Sequence, residues 1–475
     1  MRNRLYLAWL LFFLLLMQVY APLNLPAKDF SGGKITTVFG LGNRISRVGN
    51  EILEPYKREG KLYLALTDCI YIASKRNLDI HLQEEAIAQA DADITKAWAA
   101  MLPYVGGEAN YTRLDEELAL GLGPVSMTFM EEDISKVGVV LKQQIFTGGR
   151  LNAARKAARY LRDSRLFEKE TIEKEVLFQV TRVYRTAQVA EAFNKVAVEA
   201  VDLLKQHEHD VSILVREGAI PEVDLLRTQT ELANAVKDLN VASNAFDIAL
   251  SGLKNLLVID LETPVILTQT LQRPERSGES LENMTLQAIK NRSELAALKM
   301  RIKTAEQGLV SAKGRYLPSI AFESHYDYMQ GDTRELDGDD HWTIGVGANV
   351  PFWNWGETRA WVIKAASLLK QARIEYKKTE EAICLQVRKA FLNLEKSEKN
   401  ITAAAAALKT SKEGFRLERA RYQAGEGINT DVLDARTALS RAEANHFQAL
   451  FEYNIALADM ERAVGIKSIT EKKGK

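Results

Sequence analysis

Two stretches without glycine or proline constrain this chain more than any other feature. Neither residue occurs from Arg150 to Glu217 or from Glu357 to Glu413. If helical throughout, each stretch runs roughly 90 Å at about 1.5 Å per residue. A compact globule rarely holds such helices, so the 475 residues predict elongated helices and not the two or three ordinary domains that length suggests. Val176, Val180, Val183, Ala187, Ala190, Ala197, Val201 and Leu204 recur at helical spacing and predict helix-on-helix packing. The alanine run Ala403–Ala407 predicts a further close helix contact.

Each long run ends at a glycine turn. The second reads Tyr422-Gln-Ala-Gly425-Glu-Gly427-Ile-Asn429-Thr430-Asp431-Val-Leu-Asp434. Gly425 and Gly427 break the helix, and Asn429 and Thr430 offer capping chemistry for the next one. Asp431 and Asp434 are three apart and share one face of its first turn. A weaker copy reads Val215-Arg-Glu-Gly218-Ala-Ile-Pro221-Glu-Val-Asp224-Leu-Leu-Arg227. In both copies a glycine precedes an aspartate by six positions.

The doubling extends along the chain. At an offset of 215, Asp79 meets Glu294, Leu102-Pro103 meets Leu317-Pro318, and Tyr111 meets Tyr326. At an offset of 207, Val137-Gly138-Val139 meets Ile344-Gly345-Val346, Gly149 meets Gly356, Gly218 meets Gly425, and Asp224 meets Asp431. The change of offset falls in a loop between strands, where length changes are cheap. The predicted organisation is a first repeat over 64–260, a linker over 261–280 with Pro264 and Pro274, and a second repeat over 281–465. Each repeat reads helix, strand pair (103–146 and 318–353), long helix (150–217 and 357–424), turn, helix. Residues 28–63 form a lead-in without clear period, and 466–475 a tail.

The N-terminus reads as an export signal over 1–27, with Arg2 and Arg4 before the apolar run Leu5–Met17. A retained anchor is the alternative. No Cys follows that run closely, so no lipidation site is expected. Cys69 and Cys384 both fall in helical patterns and read as small apolar packing residues. No other stretch has the length of a membrane helix. Lys plus Arg (63) equal Asp plus Glu (63), which gives no support to a nucleic-acid partner.

The strands alternate. Ile320, Phe322, Tyr326 and Tyr328 point one way, and Glu323, His325 and Asp327 the other. Trp342, Ile344, Val346, Ala348, Val350 and Phe352 form an apolar face opposite Thr343, Gly345, Gly347 and Asn349. Val137, Val139, Leu141 and Ile145 face away from Lys136, Lys142 and Gln144, with Gln143 interrupting the apolar row. Strands of about ten residues cross a bilayer when tilted. Tyr104, Tyr111, Tyr326, Tyr328, Trp342, Phe352, Trp353 and Trp355 gather at strand ends like an aromatic girdle. A soluble sandwich is the other way to bury such faces. Four strands cannot close a barrel, and an open edge in lipid leaves backbone groups unpaired at several kcal/mol each. Spanning strands would therefore have to be pooled from several chains.

The leader, the doubled order of elements and the Tyr-x-x-Gly-x-x-x-x-x-Asp-Val-Leu-Asp turn resemble the TolC-type outer membrane efflux proteins, over about Leu64 to Gly465. The resemblance implies a mainly α fold with a transmembrane β part. In it a homotrimer completes both a twelve-stranded barrel and a long α-helical barrel reaching into the periplasm. It further implies an outer-membrane duct in an efflux or type I secretion system, working with a periplasmic adaptor and an inner-membrane pump. Tyr422, Asp431 and Asp434 match positions lining or latching the inner entrance, and Asp224 a first-half latch position. The basic residue expected on the second turn is replaced by Gly427, and Arg227 stands where it could compensate. Gly218, Gly425 and Gly427 mark the tips where an adaptor could dock.

Asp431 and Asp434 have two readings: a carboxylate ring that attracts cations at a constriction, or acidic residues placed favourably at a helix N-terminus. His207-Glu-His209 puts its imidazoles on different sides of a helix, so neither metal nor cofactor is expected. No nucleophile turn or phosphate loop is present, and no enzyme is expected. A periplasmic long-helix adaptor and a structural coiled-coil protein are the alternatives from other classes. The former should show one hairpin between soluble β domains, and the latter no girdled strands.

Overall fold

The computed structural model describes residues 52–122, 125–130, 132–274, 278–330 and 339–466. The predicted leader, the lead-in up to residue 51 and the tail from 467 lie outside them. Tyr56–Lys475 forms one compact unit, and the fold described here is that unit.

The first half runs through helices α1 (Leu66–Arg76) and α2 (Leu78–Ala99), strands β3 (Tyr104–Arg113) and β6 (Asp133–Phe146), and helices α3 (Arg150–Arg216) and α4 (Glu222–Leu256). The second half repeats this as α5 (Leu281–Asn291), α6 (Ser293–Lys313), β8 (Ser319–Gln330), β9 (Asp339–Asn349), α7 (Glu357–Gln423) and α8 (Asn429–Val464). The long helices α3 and α7 have 67 residues each, about 100 Å at the helical rise. Both start after a glycine in the left-handed region, Gly149 at φ 79° and Gly356 at φ 87°.

Four differences from the sequence reading have local causes. The helix expected over 64–101 breaks at Asn77, whose side chain accepts from the amides of Asp79 and Ile80 and starts α2 afresh. The second half breaks at Arg292, the position 215 residues on. The lead-in and the linker are not structureless. Strands β1 (Lys57–Arg58) and β2 (Lys61–Leu64) join β7 (Val265–Leu267) in a three-stranded sheet, with β2 and β7 parallel. The acidic loop of the first half holds a two-stranded ribbon, β4 (Leu118–Leu122) with β5 (Val125–Met130). Lastly, β9 ends at Asn349, because Pro351 has no amide for a ladder, so Val350 and Phe352 lie beyond it.

The core is a seam between helices. Met284, Leu295, Ile383, Val387, Leu394, Tyr453, Leu457 and Met460 bury together where α5 and α6 meet α7 and α8. The positions 383, 387, 390, 394 and 401 on α7 keep one face on that seam. In the first half Val176, Val180, Ala187, Ala190, Val201 and Leu204 are buried as their spacing requires. The alanine run departs from expectation: within one chain Ala403 and Ala405–Ala407 are exposed, and only Ala404 packs on the core. Cys69 and Cys384 are free thiols; Cys69 is fully buried and its thiol is pushed up to about 12 by that burial.

The larger sheet sits at the far end from the turns, in the order β3-β6-β8-β9, with every neighbour antiparallel. It therefore ends in two edges, β3 and β9. Among the described residues neither edge has a further partner.

Candidate functional site

The register of the sheet sorts its side chains. Tyr326 pairs with Val139 on one side and Trp342 on the other, and Phe322 pairs with Val346. Directly paired residues share a face, so these join Tyr111, Val137, Tyr328 and Ile344 on one apolar surface. Trp342 (64 %), Val346 (65 %) and Tyr111 (65 %) stand open on it. The opposite face is a charged ladder, with Lys142 Nζ 3.4 Å from Glu323 and Lys136 Nζ 2.9 Å from Asp327. A sheet exposed and oily on one side, and ionic on the other with Val140 and Asp327 buried there, fits a wall between lipid and water.

Tyr104 does not belong to the apolar row. It pairs with Lys142, and its ring lies over Gly106, where a Cβ would meet the Tyr104 hydroxyl at 2.6 Å. Phe352, Trp353 and Trp355 stand exposed just past β9, the two indoles edge to face with centroids 5.8 Å apart. Trp355 holds a left-handed backbone (φ 53°) where the first half has Gly148 (φ 63°). Gly148 must be glycine for a second reason, since a Cβ there would lie 2.2 Å from the Gly314 carbonyl.

At the other end the two turns are built alike. The Ala219 amide donates to the Leu214 carbonyl, and 207 positions on the Glu426 amide donates to that of Arg421. Gly218 (φ 73°) and Gly425 (φ 77°) take the left-handed residue this closure needs. Gly427 is required differently: a Cβ there would stand 3.0 Å from the Tyr422 amide nitrogen.

Asn429 does not cap α8. Ile428 occupies the cap position without side-chain help, and Asn429 turns inward, 3 % exposed. Its amide donates to the Asp224 carbonyl and to Thr228 Oγ1, both at 3.1 Å, while its oxygen accepts from His207 Nε2 at 2.7 Å. One buried side chain thus ties the second turn to both arms of the first. Arg227 Nη1 donates to Thr430 Oγ1 at 3.3 Å, a second link between the turns. The Tyr422 ring stands edge-on to His207 with centroids 5.4 Å apart; burial first, then Asp224 and Asp210, push its phenol up. Asp431 is half-buried and Asp434 exposed, and neither forms an ion pair with a described residue of its own chain.

The model of the family described as "Outer membrane efflux protein" matches residues 69–257 and 285–466, one segment for each half of the fold. The chain belongs to that family. Curated relatives include "Outer membrane protein TolC" of Vibrio cholerae, 21 % identical over 84 % of this chain and 90 % of that protein. "Outer membrane efflux protein BepC" of Brucella suis is 24 % identical over 84 % and 85 %. Among solved structures, the CmeC outer membrane channel of Campylobacter jejuni has a TM-score of 0.74 at 20 % identity, covering 84 % of this chain and 85 % of that one. CusC has a TM-score of 0.72 at 18 % identity, covering 84 % of this chain and 92 % of that one.

An outer membrane efflux protein places its sheet in the outer membrane and its long helices in the periplasm, which matches the oily sheet and the polar helix shafts. Among the described residues no helix is long and apolar enough to cross a membrane. None of those residues gathers three metal-ligating side chains either. The turns bring Asp224, Arg227 and Tyr422 together around Asn429 and Thr430. They also recruit Thr228, which local rules passed over, and give His207 and Asn429 a contact that local rules did not assign them. His207 lies about three helical turns before Gly218, and only its distant partner gives it a role.

Proposed function

We propose that the protein is the exit duct of a tripartite efflux or type I secretion system, conducting cargo passively from a periplasmic pump–adaptor complex to the exterior. Three copies pool twelve strands into one barrel, and their helices continue it as a tunnel through the periplasm. The observation that carries this reading is the four-stranded sheet at the end of helices about 100 Å long, apolar and exposed on one face and, among the described residues, unpaired at both edges. Lipid tolerates no such edges, so β9 of one copy must meet β3 of the next. The apolar row then faces lipid and the Lys136–Asp327 and Lys142–Glu323 ladder lines water.

The paired turns form the inner entrance and the tip where an adaptor docks, at Gly218, Gly425 and Gly427. Asp431 and Asp434 supply two carboxylates per copy to a ring at the constriction, which favours cations and repels itself. Contacts such as Asn429 to Asp224 and Thr228 hold the turns against that repulsion. The test is conductance of the purified protein in planar bilayers. Cation-selective steps that a multivalent cation blocks from the helix side are expected, and Asp431→Ala with Asp434→Ala raises conductance and abolishes the block. A protein that stays monomeric, dissolves without detergent and leaves bilayers silent overturns the duct. Unchanged conductance and block in the double variant overturns the ring.

A further inference from the structure

A cavity of about 560 Å³ lies beside the second turn, between α3, α7 and α8. Most of its wall is apolar: Leu204, Leu214, Ile220, Phe415, Val432 and Leu433. Into this wall is set Arg436, 5 % exposed, whose guanidinium lies 5.7 Å from the centre of the Phe415 ring. Its Nε and Nη2 have no hydrogen-bond partner. Its nearest carboxylate oxygen, Glu443 Oε2, is 3.9 Å from Nη1, too long for a hydrogen bond, and is itself without one. Burial pushes the Glu443 carboxyl up, which weakens it further as a counter-ion. The Tyr422 hydroxyl, buried and also without a partner, belongs to the same wall. Arg419 adds donors there, and Asp210 is the one acid lining it; the charge of Glu199 also acts on Arg436.

Leaving buried donors unmade is costly, and more so for a charged group. Chains do not keep a guanidinium in that state without a use for it or a partner that comes and goes. We propose that this cavity is a binding site for an organic anion with an apolar body, its acid group held by Arg436 and Tyr422. The volume suits a small organic ligand, the walls suit its body, and the two unpaired donor groups suit a carboxylate or similar oxyanion. The site is separate from the Asp431 and Asp434 carboxylates and opposite to them in charge preference. An occupant would touch α3, α7 and α8 at once and so brace the two turns against each other.

The test is isothermal titration of the full-length channel in nanodiscs with octanoate, inorganic phosphate and octyltrimethylammonium. Octanoate is expected to saturate at one per chain. Phosphate, lacking the body, binds at least about tenfold more weakly, and the cation does not saturate. Arg436→Met, which keeps the stem and the packing, weakens octanoate by about tenfold or more, and Tyr422→Phe by about three- to tenfold. Helicity and oligomer size are measured alongside; if Arg436→Met fails to assemble, Tyr422→Phe alone decides. Absence of saturable octanoate heat, equal heat from the cation, or equal affinity in the variants overturns the proposal. So does a silent wild type whose Arg436→Met form falls apart into single chains, since a neighbouring copy would then be the partner of these donors.

Discussion

Replacing Asn429 by alanine should loosen the turns without unfolding the helices. The substitution removes the bond from His207 Nε2 (2.7 Å) and the two donated to the Asp224 carbonyl and Thr228 Oγ1 (3.1 Å each). Thr228 Oγ1 keeps its own bond to the Asp224 carbonyl at 2.8 Å, so only His207 is left unmade. At about 1 kcal/mol per net hydrogen bond, the turns lose about 2–3 kcal/mol of local stability. Amide hydrogen exchange reads this directly: amides of 218–228 and 425–433 should exchange about 30–150-fold faster, with the core seam unchanged. Less than about threefold acceleration at the turns, or acceleration spread along α3 and α7, would refute the view that this one amide ties them.

Three further outcomes follow from the geometry. Val346→Arg, on the apolar face opposite Phe322, should cost about 2–4 kcal/mol in the bilayer and sharply lower the yield of membrane-inserted protein; Thr343→Arg, on the other face, should insert and change conductance instead. Burial works to raise the Glu168 carboxyl, but hydrogen bonds from Arg301, Arg165 and Ser164 hold it below its ordinary value. A carboxyl depressed by folding contributes stability above its unfolded pKa and loses it as pH falls through the folded one. Glu168→Gln should thus cost about 1–2 kcal/mol near neutrality and less below about pH 4, read as denaturation midpoints. Gly148→Ala meets both a left-handed backbone and the Gly314 carbonyl, whereas Gly356→Ala meets only the backbone; the first should lower the thermal midpoint clearly more than the second, which costs about 1 kcal/mol.

The long helices, the turns and the doubled order were readable because their signals are local and periodic. Glycine and proline mark where a helix stops, and apolar spacing marks its face. What escaped depends on partners far along the chain. The pairing of Leu62 with Val265 joins strands too short to carry a pattern of their own. The break at Asn77 hides inside an apolar period that continues through it, although Asn77 before Leu78-Asp79 is a usable capping signal. At Asn429 the local rule pointed to a cap, and a buried contact with the other turn outweighed it. Tyr104 was misplaced because strand ends attract aromatic residues on either face, and only register decides which face.

The two halves of the chain reach equal depth, since α3 and α7 have 67 residues each, but their tips differ in charge. One carries Asp224 with Arg227, and the other Asp431 with Asp434. Around the proposed closed ring, tips with an arginine and tips with a second aspartate at that matching position must alternate. A docking protein that reads shape would count every tip, whereas one that reads charge would count only chains, half as many.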